Sequence, residues 1–138
     1  MRRRDFALLI SSSVWPITAQ AASELPIIGI LGSASADGLK QPLAAYKDGL
    51  TELGYRENDN VHIEYRWAEN KYDLLPGLVA DLVQLNVNVI FATGGPASAL
   101  AAKKVTSKIP IVFPAVSYAV ELGLVESFNK PGGNVTGI

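Results

Sequence analysis

The stretch "FATGGPASALAAK", Phe91 to Lys103, decides the fold. It closes an almost uniformly apolar segment, Val87 to Ala92, of the kind that a parallel strand buried on both faces requires. The chain then turns through Thr93-Gly94-Gly95-Pro96 and enters an alanine-rich run of good helix formers, from Pro96 to about Val105. Strand, glycine turn and helix in immediate succession are part of a β-α-β unit. Three uses of the turn stand open at this point: a nucleotide cradle, a plain connection, or a seat for another small ligand.

On the amino-terminal side the same alternation recurs. "PIIGILGSASADG" reads as a buried strand, Ile27 to Leu31, that opens into a polar loop. Leu39, Leu43, Tyr46, Leu50 and Leu53 then repeat at helical spacing, and Gly54 stands where a carboxyl-terminal glycine closes a helix. "VHIEYRW", residues 61–67, alternates strictly, with Val61, Ile63, Tyr65 and Trp67 on one face and His62, Glu64 and Arg66 on the other. That pattern predicts a strand near a sheet edge with one face toward water. Asp73 is expected to cap a helix with Pro76 in its first turn and an apolar stripe of Leu75, Leu78, Val79, Leu82 and Val83.

On the carboxyl-terminal side, "IPIVF" predicts a strand at Ile109 to Phe113, followed by a helix around Val120 to Phe128 that carries Leu124, Val125 and Phe128. The chain closes on "KPGGNVTGI". Four alternations of strand and helix predict an α/β domain: a parallel sheet covered by helices on both faces, with right-handed crossovers. Functional residues in such a sheet belong at the carboxyl ends of the strands. No internal repeat or low-complexity tract interrupts the single unit.

The first residues are set apart from the fold. "MRRRDFALLISSSVWPITAQAA" has a basic start, an apolar middle from Phe6 to Ile17 and the small-residue pattern Ala19-Gln20-Ala21, which predicts a secretory signal peptide over residues 1–21. Ser11, Ser12, Ser13 and Pro16 interrupt the apolar middle, which is also short for a bilayer span. Arg3-Arg4-Asp5-Phe6 also fits the core of a twin-arginine signal, so the export route stays open while the expected destination is periplasmic or secreted.

The 138 residues carry a formal charge of −1, are 49% apolar and include no cysteine. Removing Arg2, Arg3, Arg4 and Asp5 from 12 basic and 13 acidic residues leaves 9 and 12, a net charge of −3. This is the composition of a globular domain, not of a disordered chain or a nucleic-acid binder. The absence of cysteine leaves the core alone to hold the fold in an oxidising compartment, and leaves no residue for an acylated-cysteine anchor.

Catalytic constellations are missing by type. A metal site needs several converging ligands, and the one histidine, His62, is expected as a solvated imidazole on a strand's polar face. No G-x-S-x-G elbow, G-x-x-x-x-G-K-[ST] loop or G-x-G-x-x-G turn is present. Glu57, Asp59, Glu64, Glu69 and Asp73, interleaved with Arg56, Arg66 and Lys71, read as a charge-balanced surface. The expectation is a protein without catalytic residues, metal or cofactor.

What remains is a rim of polar loops at one sheet edge. Pro96 pre-sets a helix whose free N–H groups suit a carboxylate or another small acceptor. Ser33, Ser35 and Asp37 follow the first strand, Trp67 ends the second, Thr93, Gly94, Gly95 and Ser98 follow the third, and Ser117 and Tyr118 follow the fourth. Each also has a purely structural use. Ser33 or Ser35 would satisfy turn backbone, Ser98 would bond within its helix, and Trp67 would be core. Together on one edge they favour a ligand-binding rim.

At these residues a family resemblance enters. "LGYRENDNVHIEYRWAENKYDLLPGLVADLV", "NVIFATGGPASALAAK", "IPIVF" and "ELGLVESFNKPGGNVTGI", in this order, resemble the N-terminal lobe of ABC-transporter substrate-binding proteins, in the tryptophan/tyrosine-type or uncharacterised branch. The resemblance covers essentially the whole chain. It implies a flavodoxin-like lobe of a type I periplasmic-binding-protein architecture, in residues 22–138, truncated near the hinge. It also implies a monomer that captures a small organic ligand, an amino acid or aromatic acid, by hinge closure with a second lobe and delivers it to a membrane permease. By position it places ligand contacts at Ser33 to Asp37, near Trp67, at Thr93 to Ser98 and near Ser117.

The chain departs from its family's pattern in two respects. Tyr118-Ala119 replaces a common Asp-Pro, which puts ligand identity in question, and Asn58 and Asn70 replace glycines. Asparagine tolerates the left-handed backbone such glycines adopt. Two rival readings remain: a flavin- or nucleotide-binding protein or enzyme that uses "GSASAD" as a phosphate loop, and a truncated lobe without a function of its own.

Overall fold

The computed structural model describes residues 25–114 and 133–137. The expected signal peptide, the expected helix around Val120 to Phe128, Ser117 and Tyr118 lie outside the described residues. The chain runs through β1 (Ile27–Gly32), α1 (Lys40–Glu52), β2 (His62–Trp67), a 3-10 turn (Tyr72–Leu74), α2 (Leu75–Gln84), β3 (Val89–Thr93), α3 (Pro96–Val105), β4 (Ile111–Phe113) and β5 (Val135–Gly137). All five strands are parallel, in the order β2-β1-β3-β4-β5. This is the parallel α/β sheet that the alternation of elements predicts, in the flavodoxin-like form that the family resemblance implies.

Side-chain alternation sorts the core into two layers. Ile28 and Ile30 of β1, Ile63 of β2 and Phe91 of β3 face α1, whose Leu43, Tyr46 and Leu50 pack against them. Tyr46 lies parallel on Phe91, with ring centroids 3.9 Å apart and planes 12° from parallel. Leu31, Ile90, Ala92 and Ile111 face the other side, where Leu75, Val79 and Leu82 of α2 and Ala99 and Ala102 of α3 cover them. Ala99 and Ala102 on the buried face of α3 let it lie close to β3, while Pro96, Lys103, Lys104 and Val105 stay exposed. Gly29 does the same for α2, because a Cβ there would stand 3.0 Å from the Leu82 methyls.

β2 is the edge strand that its alternation predicts. Val61 and Ile63 are buried, while His62, Glu64 and Arg66 are half-buried on the other face. His62 is not simply solvated: its Nε2 lies 2.5 Å from Glu64 Oε2, and Arg66 bonds Glu64 Oε1 at 3.2 Å. Beyond them Arg66 approaches Asp81 of α2 at 3.6 Å. The polar face thus pairs its side chains with one another while the His62 side chain stays 44% exposed.

Three boundaries differ from the sequence expectation. Asp73 does not cap α2; it sits inside the 3-10 turn, and Leu74 precedes the helix without any side-chain cap. Pro at the start of α2 supplies the helical φ and removes one N–H that would need a partner. β3 begins at Val89 rather than Val87, because Asn86 turns with φ +58° and Asn88 spends its side chain on the N–H of Ile27, at 2.7 Å. β4 begins at Ile111 rather than Ile109, because the N–H groups of Lys108 and Ile109 turn back onto Thr106 Oγ1 at 3.2 and 3.3 Å.

β5 was not expected from the sequence. Asn134 secures it: its side-chain amide donates to the carbonyls of Thr106 and Ile109, at 3.2 and 2.7 Å, and its own carbonyl accepts from Ile111 N–H. Asn58 and Asn70 take φ of +66° and +65°, as expected of asparagines in glycine's place.

Candidate functional site

The strand order reverses between β1 and β3. From β1 the chain steps outward to β2 and returns past β1 to β3, so the loops leaving β1 and β3 part toward opposite faces. Such a switch point opens a crevice at the carboxyl ends of the strands, where ligands of open α/β sheets bind. The register places Trp67, Gly32 and Thr93 side by side on adjacent strands at that edge.

Hydrogen bonds lace the three loops together there. Ser33 is the hub: its N–H donates to the Thr93 carbonyl at 3.3 Å, its hydroxyl to the Gly94 carbonyl at 2.7 Å, and its carbonyl accepts from Asn70 N–H at 2.7 Å. Ser98, wholly buried in the first turn of α3, donates its hydroxyl back to the Thr93 carbonyl at 2.9 Å. Among the described residues no side chain caps α3, so its first turn presents backbone N–H groups toward this edge.

Gly94 and Gly95 are glycines for stated reasons. Both have positive φ, +94° and +101°, and a Cβ on Gly94 would run into the Ser33 side chain. The turn therefore brings β3's backbone against β1's loop more closely than any side chain permits. Gly32 makes a second close approach, since a Cβ there would stand 2.5 Å from Cε3 and Cζ3 of Trp67. The Trp67 ring is thus seated over the end of β1, with Tyr65 stacked beside it at 6.1 Å.

Thr93 holds an unspent group. The residue is 1% exposed, and among the described residues its hydroxyl has no hydrogen-bond partner. A buried hydroxyl without a partner costs about 1–3 kcal/mol, which the fold retains at the switch point.

The other expected rim residues are placed differently. Ser35 Oγ accepts from Gly38 N–H at 3.1 Å, and Asp37 is exposed at the start of α1, its carbonyl accepting from Lys40 N–H at 3.4 Å. Ser33, Trp67, Thr93, Gly94, Gly95 and Ser98 come together, whereas Ser35 and Asp37 stand at the outer turn. Leu39 and Asn70 also belong to the cluster. The left-handed turn at Asn70 was a signal for the second; a leucine at helical spacing gave none for the first.

Away from this edge, charged side chains pair on the surface. Lys47 meets Glu57 at 3.0 Å, and Tyr65 donates to the same carboxylate at 2.8 Å. Partial burial pushes Glu57 up, but the bonds from Lys47 and Tyr65 outweigh it and hold the carboxyl below its ordinary value. Glu64 is held low chiefly by its bond to His62, with help from Arg66. Among the described residues no group of His, Asp and Glu is arranged to hold a metal ion, and no helix is long and apolar enough to cross a membrane.

A depression of about 750 Å³ lies at the opposite end of the sheet, lined by Leu25, Pro26, Ile27, His62, Leu85, Asn86 and Asn88. It stands at the amino ends of β1 and β2, and two of its polar side chains are already engaged: Asn88 on Ile27 and His62 on Glu64. The carboxyl edge, with its unspent donors, is the better candidate.

Comparison with known proteins shows the family of the chain. The family model for ABC transporter substrate binding protein matches residues 27–138. A curated tyrosine-binding protein of Clostridioides difficile is 36% identical over 110 residues, covering 80% of this chain and 32% of the relative. The ligand-free, open structure of a substrate-binding protein with adhesive properties from Clostridium difficile superposes with a TM-score of 0.76 at 30% identity, over 82% of this chain and 38% of that one. An ABC domain in complex with L-Trp from Streptococcus pneumonia has a TM-score of 0.76 at 27% identity, over 83% and 38%. The chain thus spans about a third of the length of the curated relative, and none of these relatives is described as an enzyme.

Proposed function

Because the chain belongs to the ABC transporter substrate binding protein family, we propose that its switch-point crevice is one half of a clamp for a small amino-acid ligand, aromatic by preference. The observation that carries this reading is the buried hydroxyl of Thr93, without a partner among the described residues and in register with Trp67 across Gly32. A ligand carboxylate satisfies donors of the kind found here: the Thr93 hydroxyl and the uncapped first turn of α3. Trp67 supplies an apolar wall for a side chain, and an aromatic one gains from stacking. The tyrosine-binding relative and the L-Trp complex support the aromatic preference.

In this reading residues 1–21 export the chain and residues 22–138 form the lobe, with Ser33, Ser35, Asp37, Trp67, Thr93, Gly94, Gly95, Ser98 and Ser117 at the ligand rim. The lobe works outside the cytoplasm, as a monomer, by closing against a second lobe and presenting the ligand to an ABC permease in the membrane. It performs no reaction and takes no cofactor. One lobe alone desolvates only one side of a ligand, so its affinity for the ligand is weak.

Saturation-transfer NMR on this chain tests the reading with L-tyrosine and L-tryptophan, and with glycine and flavin mononucleotide as contrasts. Transfer to the aromatic amino acids and its loss in Ser98→Ala and Thr93→Val are the expected results. Transfer to flavin alone, or to none of the four, overturns it.

A further inference from the structure

Leu39 precedes α1 and is 8% exposed, yet it belongs to neither of the two hydrophobic layers that flank the sheet. Its contacts lie at the switch point. A Cβ built on Gly32 would stand 2.7 Å from Leu39 Cδ1, and one built on Gly94 would stand 3.3 Å from the same methyl. The place that a Gly32 side chain would occupy is also where Trp67 Cε3 and Cζ3 approach, at 2.5 Å. A single methyl group therefore lies beside the end of β1 and the glycine turn after β3, at the same empty Cβ position that the edge of the indole approaches.

We infer that Leu39 is a positioning residue for the crevice: its δ-methyl wedges between the Trp67 indole and the Gly94 backbone and sets where the indole lies over β1. Three features of the structure call for such a wedge. Gly32 leaves a gap at the sheet edge that only neighbouring side chains fill, and packed interiors leave few such gaps empty. Trp67 ends an edge strand, so among the described residues no further strand holds its outer side. Gly94, at φ +94°, belongs to a turn whose distance from β1 rests on Ser33 on one side and Leu39 on the other.

The consequence for capture rests on the reading above, in which Trp67 is the aromatic wall; the packing itself does not. Removing the wedge frees the indole to tilt into the vacancy and moves the wall against which a ligand side chain would stack. Leu39 touches no ligand in this account and acts through Trp67.

The sequence supplies its own probe, because it holds only two tryptophans, Trp15 and Trp67. In a Trp15→Phe background of the full chain, all indole emission comes from Trp67. Leu39→Ala is expected to shift that emission to the red and to speed its quenching by acrylamide, while far-ultraviolet circular dichroism stays at the parent value. Leu39→Met, which conserves volume, restores the parent emission. Should Leu39→Ala fail to fold, Leu39→Val gives the same reading, because it withdraws the δ-methyl and keeps most of the bulk.

A merely structural role lowers the melting temperature without touching the emission of the folded state. Parent emission and parent quenching in a folded Leu39→Ala or Leu39→Val protein therefore overturn the inference. L-tyrosine binding is followed separately by NMR. A shifted emission without any L-tyrosine binding sustains the positioning role and sinks the functional reading, so the two failures are told apart.

Discussion

The Ser33 hydroxyl donates to the Gly94 carbonyl at 2.7 Å, across 61 positions of sequence, and so ties the loop after β1 to the loop after β3 where the sheet reverses its order. Those two loops diverge to opposite faces, and a crevice between them would widen without a tie. The bond fixes the geometry of the candidate site before any ligand arrives, which is the condition for binding without a large ordering cost.

Ser33→Ala removes that tie and leaves a carbonyl in a part-buried position without its partner. The expected loss is about 1–3 kcal/mol of stability. Urea denaturation checks it: the midpoint falls while the slope stays at the parent value, because the surface exposed on unfolding is unchanged.

Two glycine-to-alanine changes should move stability in opposite directions. Gly49 lies inside α1 with nothing within 4 Å of a built Cβ, so Gly49→Ala gains about 0.5–1 kcal/mol from the lower entropy of the unfolded chain. Gly94→Ala meets both a positive φ of +94° and the Ser33 side chain. The backbone alone costs about 1–2 kcal/mol, and the contact adds to it. Equal midpoints in urea for the two variants would show that the glycine turn is not held as described.

Stability should depend on pH in a window that the paired groups define. Glu57 and Glu64 are held below the ordinary carboxylate value of 4.5, so their contribution is fully present above that value and is lost as pH falls through their lowered values. Lys47 is raised above 10.5, chiefly through its bond to Tyr65, so its contribution is present below 10.5 and is lost as pH rises past it. Between those limits these groups leave the urea midpoint flat. Each pair lies at the surface and contributes less than about 1 kcal/mol, so Glu64→Gln should soften the acid decline slightly, and high salt should do the same.

The fold was legible because its strands announce themselves. Val61 to Trp67 alternates, Val87 to Ala92 is apolar throughout, and the turn at Thr93 to Pro96 marks the switch from one period to the other. β5 escaped because Val135–Gly137 is too short to show a period, and its place depends on Asn134 reaching carbonyls 25 and 28 positions away. The expected cap at Asp73 failed for another reason: the exposed 3-10 turn that precedes α2 is closed by backbone bonds, Leu74 N–H to the Lys71 carbonyl and Lys71 N–H to the Ala68 carbonyl, and not by a side-chain bond. At the site, Ser33, Thr93 and Ser98 were named from strand ends alone, while Leu39 was read only as one of a helical stripe. Its true neighbours, Gly32, Gly94 and Trp67, meet it only once the sheet has formed.

Thr93 offers a test that separates stability from capture. Its hydroxyl is buried without a partner among the described residues, a cost the folded chain carries. Thr93→Val keeps the shape and removes the polar atom, so the variant should be as stable as the parent or more so, by about 1 kcal/mol. If the hydroxyl is kept for a ligand, the same variant should lose saturation transfer from L-tyrosine, and Thr93→Ser should retain it. That pattern, a gain in urea midpoint coupled to a loss of binding, is expected of a group retained for function against stability. A Thr93→Val protein that is less stable than the parent and binds L-tyrosine equally well would make the hydroxyl a structural group, and the crevice would have to hold its ligand by the α3 turn and Trp67 alone.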